Sequence, residues 1–123
     1  MKPLVLLVDA NPSELEELES VLANQGYGLA KAESGLEAEA IIGASSGEYM
    51  ACLVDWDLPD TPAAEFISWI GAQESMSLEA VLIADDLVRE HVEQGLEAGA
   101  YYFLTKPFED VDLLSLVERG LAA

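Results

Sequence analysis

Apolar residues fall along this chain in two rhythms. Unbroken apolar runs occupy residues 4–8, 51–54 and 80–84, with a shorter mixed run at 102–105. Runs of this length predict strands buried on both faces. Residues 27–31 read as a further short strand, weakened by Gly28. Between the runs, apolar residues recur three and four apart: Leu15, Leu18 and Leu22; Ala38, Ile41 and Ile42; Phe66, Ile67 and Ile70; Val88, Val92 and Leu96; Leu113, Leu114 and Val117. That spacing predicts five amphipathic helices, each burying one stripe. Glu14, Glu16, Glu17 and Glu19 are expected mostly to face away from the first helix's apolar stripe, toward water.

Turn chemistry sets the boundaries. Asn11 suits a helix N-cap, Pro12 the first helical position and Gly26 the C-cap. Ser34 and Glu37 form a capping box for the second helix. Small residues from Gly43 to Gly47 and the stretch Leu58 to Pro62 read as loops. The later helices are expected over residues 64–73, 87–98 and 110–121. Strand and helix alternate every ~20–25 residues, as in a parallel sheet with right-handed crossovers and helices on both faces. The 123 residues fit one domain, either complete or part of a longer protein.

Composition narrows the function classes. Hydrophobic residues make up 51% of the chain, which argues against disorder. The single cysteine, Cys52, lies in a predicted strand and can form no disulfide within the chain. That fits a reducing compartment. No apolar run reaches the ~18 residues needed to span a bilayer, and no export signal opens the chain. A cytoplasmic location without membrane association is therefore expected. Net charge is −19, with only Lys2, Lys31, Arg89, Lys106 and Arg119 on the basic side. Such a chain repels phosphate backbones, so direct nucleic-acid binding is excluded. No glycine-rich phosphate loop is present, and no nucleotide cofactor is expected. His91, between Glu90 and Val92, reads as a solvated residue without metal-ligand spacing around it. Phe66 and Trp69 read as core and rim packing, while Tyr101 and Tyr102 mark either an interaction face or the sheet interior.

Three chemically active groups end strands. Asp9 follows the first strand, Asp55 the third and Lys106 the fifth. In open parallel sheets, ligands bind at the strand carboxyl ends. Crowded carboxylates raise one another's pKa unless cations offset them. Lys106 supplies one cation, and a divalent ion such as Mg²⁺ could supply another. A carboxylate held in this way can act as a nucleophile toward a phosphoryl group.

Val8-Asp9 with Asn11-Pro12, the block Asp55-Trp56-Asp57-Leu58-Pro59, Ala98-Gly99-Ala100, and Phe103-Leu104-Thr105-Lys106-Pro107-Phe108 together resemble the receiver domain of two-component response regulators. The resemblance extends over the whole chain, residues 1–123. It implies a flavodoxin-like α/β fold, doubly wound, with five parallel strands in the order 2-1-3-4-5 and five helices. It implies that Asp55 is the phospho-acceptor, that Lys106 contacts the phosphate, and that the Lys106–Pro107 bond is cis. It implies an Mg²⁺ site formed by Asp9, Asp55 and the backbone carbonyl of Asp57. The phosphoryl group would come from a histidine kinase or phosphotransfer protein. The signal would leave by partner binding on the face of the fourth helix, fifth strand and fifth helix, toward a downstream protein or attached output domain. The family also uses its last helices to form homodimers. No enzymatic turnover is implied beyond self-phosphorylation and dephosphorylation at Asp55.

The chain also departs from the family. Ala10 stands where the second acid of the first strand, a direct metal ligand, is usual. Ala84 stands where a Thr or Ser bonds the phosphoryl group and couples it to the distal face. A lost hydrogen bond to a charged group is worth roughly 1.5–3 kcal/mol. Asp85, with Asp86 after it, replaces a small residue; Asp85 could narrow the site or replace the missing acid. Ala63 or one of its neighbours replaces a loop glycine, and Phe103 occupies the aromatic switch position without a hydroxyl. These changes leave a second reading open, a pseudo-receiver acting as a phosphorylation-independent interaction module. A third, from the Asp55-Trp56-Asp57 likeness to haloacid-dehalogenase-type phosphatases, is disfavoured. That family carries the motif on its first strand with Thr or Val two residues later, and here the motif follows the third strand with Pro59 in that place.

Overall fold

Side chains along the three central strands point alternately to two separate cores, the period-two arrangement that pleating imposes. The computed structural model describes residues 4–44, 49–73, 78–84 and 89–122. In chain order the elements are β1 (Leu4–Val8), α1 (Pro12–Ala23), β2 (Gly28–Ala32), α2 (Gly35–Ala44), β3 (Tyr49–Asp55), α3 (Ala63–Gly71), β4 (Glu79–Ala84), α4 (Arg89–Ala98), β5 (Tyr102–Thr105) and α5 (Asp110–Ala122). The strands form one parallel sheet in the order β2-β1-β3-β4-β5, as the resemblance implied.

Leu6, Val8, Cys52, Val54, Ala80 and Leu82 face one core, closed by Ala38 and Ile42 of α2 and by Phe66, Ile67 and Ile70 of α3. Val5, Leu7, Ala51, Leu53, Val81 and Ile83 face the other, closed by Leu15, Leu18 and Leu22 of α1 and by Leu113, Leu116 and Val117 of α5. Cys52 is fully buried, and burial pushes its thiol pKa well up, as expected of a small core residue.

Several elements differ in detail from their expected form. α1 ends with Asn24 as its C-cap, two residues before Gly26. Gly26 adopts φ +86° in the turn that follows, a left-handed conformation that favours glycine. Ser34 caps α2 as expected, its Oγ accepting from the Glu37 N–H at 3.1 Å. Glu37 returns its carboxylate to the Glu33 N–H rather than to that of Ser34. A cap not foreseen comes from Asp60, whose two carboxylate oxygens accept from the N–H groups of Gly35 and Leu36 at 2.9 and 2.8 Å. These donors hold Asp60 below the usual carboxylate range. In α5, Leu116 is buried while Leu114 is only half-buried; Ile41 of α2 is likewise half-buried.

The expected buried stripe of α4 needs correction. Val92 is buried, but Leu96 is 42% exposed. Gly95 faces inward instead, where an added Cβ would lie 2.6 Å from Leu82 Cδ2. Val88, the third residue of that stripe, lies outside the described residues. Tyr101 and Tyr102 are both exposed, and Tyr102 stacks on half-buried Phe103. Among the described residues, no helix is long and apolar enough to cross a membrane.

Candidate functional site

The strand order decides where the acids meet. β1 and β3 are neighbours, with Val8 beside Val54, so Asp9 and Asp55 leave the sheet side by side. From β1 the chain turns one way to β2, and from β3 the other way to β4, so their shared carboxyl end is the topological switch point. Asp9 is 2% exposed and Asp55 5%, and they are the buried polar residues among those described.

Each carboxylate is held from its own backbone. Asp9 Oδ1 accepts from the Asn11 N–H at 2.9 Å, and Asp55 Oδ2 from the Asp57 N–H at 3.2 Å. The backbone is fixed in turn. The Asp9 N–H donates to the Ala32 carbonyl of β2, the Trp56 N–H to the Ile83 carbonyl of β4, and the Lys106 N–H to the Ala84 carbonyl of β4.

Lys106 enters from the loop after β5, beside a cis Lys106–Pro107 bond. Its Nζ lies 2.7 Å from Asp55 Oδ1 and 3.8 Å from Asp9 Oδ2. Burial alone would lower its pKa, but hydrogen bonds to Asp55 and Glu14 more than reverse this and raise it. Burial raises Asp55, and Lys106 only partly offsets the effect.

Glu14 corrects the sequence expectation. Instead of facing water, its Oε2 lies 2.6 Å from Lys106 Nζ. The local cause is the start of α1. Asn11 Oδ1 accepts from the Ser13 and Glu14 N–H groups, which fixes the first helical turn directly above Asp9. The Asp9 and Glu14 carboxyls share a hydrogen bond. Burial, followed by this bond, pushes Asp9 up to about 7, while Glu14 is lowered.

One carboxylate oxygen each from Asp9, Glu14 and Asp55 can be chosen so that all three lie within 4.8 Å of one another. Clustered hard oxygen donors of this kind suit a divalent cation such as Mg²⁺. Two of the three are already raised by burial, so a cation would relieve an existing electrostatic cost. The donor set therefore fits the ion.

The site's margins place the remaining candidates. A cavity of about 480 Å³ opens beside it, lined by Asp9, Glu14 and Lys106 with apolar Leu18, Val21, Pro107 and Phe108. Ala84 ends β4 in register with Thr105 and offers no hydroxyl. Asp57 is exposed, and Asp85 lies outside the described residues. Ala10 is exposed and Ala63 is buried at the start of α3. His91 is half-buried rather than solvated, its ring stacked on Trp56 with centroids 4.4 Å apart. Neither Glu14 nor His91 carries a sequence signal for these contacts. A capping Asn three residues before Glu14 is the nearest hint.

The family model for the response regulator receiver domain matches residues 5–118. The transcriptional regulatory protein PrrA of Mycobacterium tuberculosis is 33% identical over 119 residues, covering 97% of this chain and 50% of PrrA. The phosphate regulon regulatory protein PhoB of Pseudomonas aeruginosa is 28% identical, covering 95% of this chain and 51% of PhoB. The chain thus spans about half the length of these curated relatives. Among solved structures, the receiver domain of the sensor histidine kinase PA1611 from Pseudomonas aeruginosa, with a magnesium ion coordinated in its active site cleft, superposes with TM-score 0.89 at 25% identity, covering 100% of both chains.

Proposed function

This chain belongs to the response regulator receiver domain family, and from that premise we propose that Asp55 is its phospho-acceptor. The observation that carries this reading is the 2.7 Å contact between Asp55 Oδ1 and Lys106 Nζ at the carboxyl edge of the sheet. A buried carboxylate that faces a fixed ammonium has both a nucleophilic oxygen and a counter-charge for the incoming phosphoryl oxygens.

In the proposed reaction an Asp55 oxygen forms a bond to phosphorus as the bond from phosphorus to the donor's imidazole nitrogen breaks. The electron pair leaves with the imidazole. Lys106 remains protonated throughout, since its neighbours raise its pKa. Asp9 and Asp55 would hold the cation, together with the Asp57 carbonyl, which the family resemblance adds. When bound, the cation neutralises charge on the phosphoryl oxygens. The donor would be a histidine kinase or phosphotransfer protein, approaching across the cavity between Leu18, Val21 and Phe108. The signal would pass to a downstream protein or attached output domain. Self-dephosphorylation at Asp55 would end it.

The test is an intact mass spectrum after treatment with a small phosphodonor and Mg²⁺. The expected result is a species about 80 Da heavier, absent from Asp55→Asn. A spectrum unchanged for the parent chain would reject the reading.

A further inference from the structure

We propose that Glu14 is the third carboxylate of the cation site, supplying from the first turn of α1 the acid that Ala10 does not provide. The inference rests on the receiver reading above. It concerns this chain's own residue rather than the family's pattern.

The argument begins with reach. Ala10 follows Asp9 at the end of β1 and offers only a methyl group. An acid there would approach the site directly from the strand end. Glu14 starts farther away, on α1, but its side chain has one more methylene than aspartate. The Asn11 cap and Pro12 fix where α1 begins, and so set which residue of the first turn looks down on Asp9. The result is a glutamate oxygen 2.6 Å from the same ammonium that Asp55 holds at 2.7 Å. One oxygen each from Asp9, Glu14 and Asp55 falls within 4.8 Å of the other two. Both partners of Glu14 belong to the site, and it is half-buried among them rather than extended into solvent.

A role limited to holding Lys106 would explain the 2.6 Å contact but not a dependence of cation affinity on Glu14. Three carboxylates around one divalent ion bind it more tightly than two, since affinity for hard cations rises with the number of charged oxygen ligands.

The experiment is a Mg²⁺ titration of the chelator-treated chain. It is read by Trp56 fluorescence in a Trp69→Phe background, so that the residue beside Asp55 alone reports. Glu14→Gln, which keeps the side-chain size, should weaken Mg²⁺ affinity by about tenfold or more. Adding Ala10→Asp to Glu14→Gln should restore most of that loss, because the acid returns from the strand end. Glu14→Asp should not restore it, because the shorter side chain falls short. An unchanged affinity for Glu14→Gln, with the parent chain binding Mg²⁺ and forming the Asp55 adduct, overturns this inference and leaves the receiver reading intact. Failure of Ala10→Asp to rescue also overturns it, since the loss would then be structural. A parent chain that neither binds Mg²⁺ nor forms the adduct overturns both.

Discussion

Asp9 and Glu14 are shifted in opposite directions, and this has a consequence for stability. Burial first, and then its bond to Glu14, lifts Asp9 to about 7, against 3.8 for an unperturbed aspartate. Between these values the folded chain keeps a proton that the unfolded chain has released. Folding therefore loses stability as pH rises through that window. Glu14 acts in the opposite sense. Its lowered pKa contributes stability above its ordinary value of 4.5, lost as pH falls below it. That contribution is essentially constant between pH about 5 and about 7, so the slope there belongs to Asp9, with a share from raised Asp55. Urea denaturation in the presence of chelator is expected to show a falling midpoint over this range. Asp9→Asn should flatten most of the fall, and an unchanged slope in that variant would refute the assignment.

At the scale of elements, α4 separates what the sequence pattern suggests from what packing requires. The pattern Val88, Val92, Leu96 makes Leu96 a buried residue, yet it is 42% exposed and Gly95 meets Leu82 instead. Gly95→Val is expected to cost about 1–3 kcal/mol by overpacking against Leu82. Leu96→Ala should change stability by about 0.5 kcal/mol or less, as at other surface positions. Equilibrium urea unfolding measures both, and the reverse order would mean that α4 is rotated from its described position. The same helix carries His91 to within stacking distance of Trp56. Helical periodicity placed His91 on a polar, solvated face, but it is half-buried beside Val92 and one turn from inward-facing Gly95. Periodicity said nothing of which loop α4 would lie against. The cap that Asp60 gives to α2 was hidden for the same reason, since 24 and 25 residues separate the partners.

For the whole molecule, a net charge of −19 on 123 residues is a source of self-repulsion. Salt screens such repulsion, with a Debye length falling from about 30 Å at 0.01 M to about 3 Å at 1 M. The thermal midpoint is therefore expected to rise with NaCl over that range; a flat or falling midpoint would show that the charge does not limit stability. The sequence by itself determined the βα alternation, the cores of most elements, and the arrival of Asp9, Asp55 and Lys106 at strand ends. Each of these depends on local periodicity, or on motifs that are contiguous in the chain. Only the tertiary structure decided that Glu14 joins them, that Gly95 rather than Leu96 packs inward, and that Trp56 meets His91. The physical reason is the same in each case. A helical pattern states which side of a helix is apolar, but the neighbours of its polar side depend on how that helix lies against segments distant in sequence; Glu14 and Lys106 are 92 residues apart and touch only because α1 and the β5–α5 loop converge over one end of the sheet.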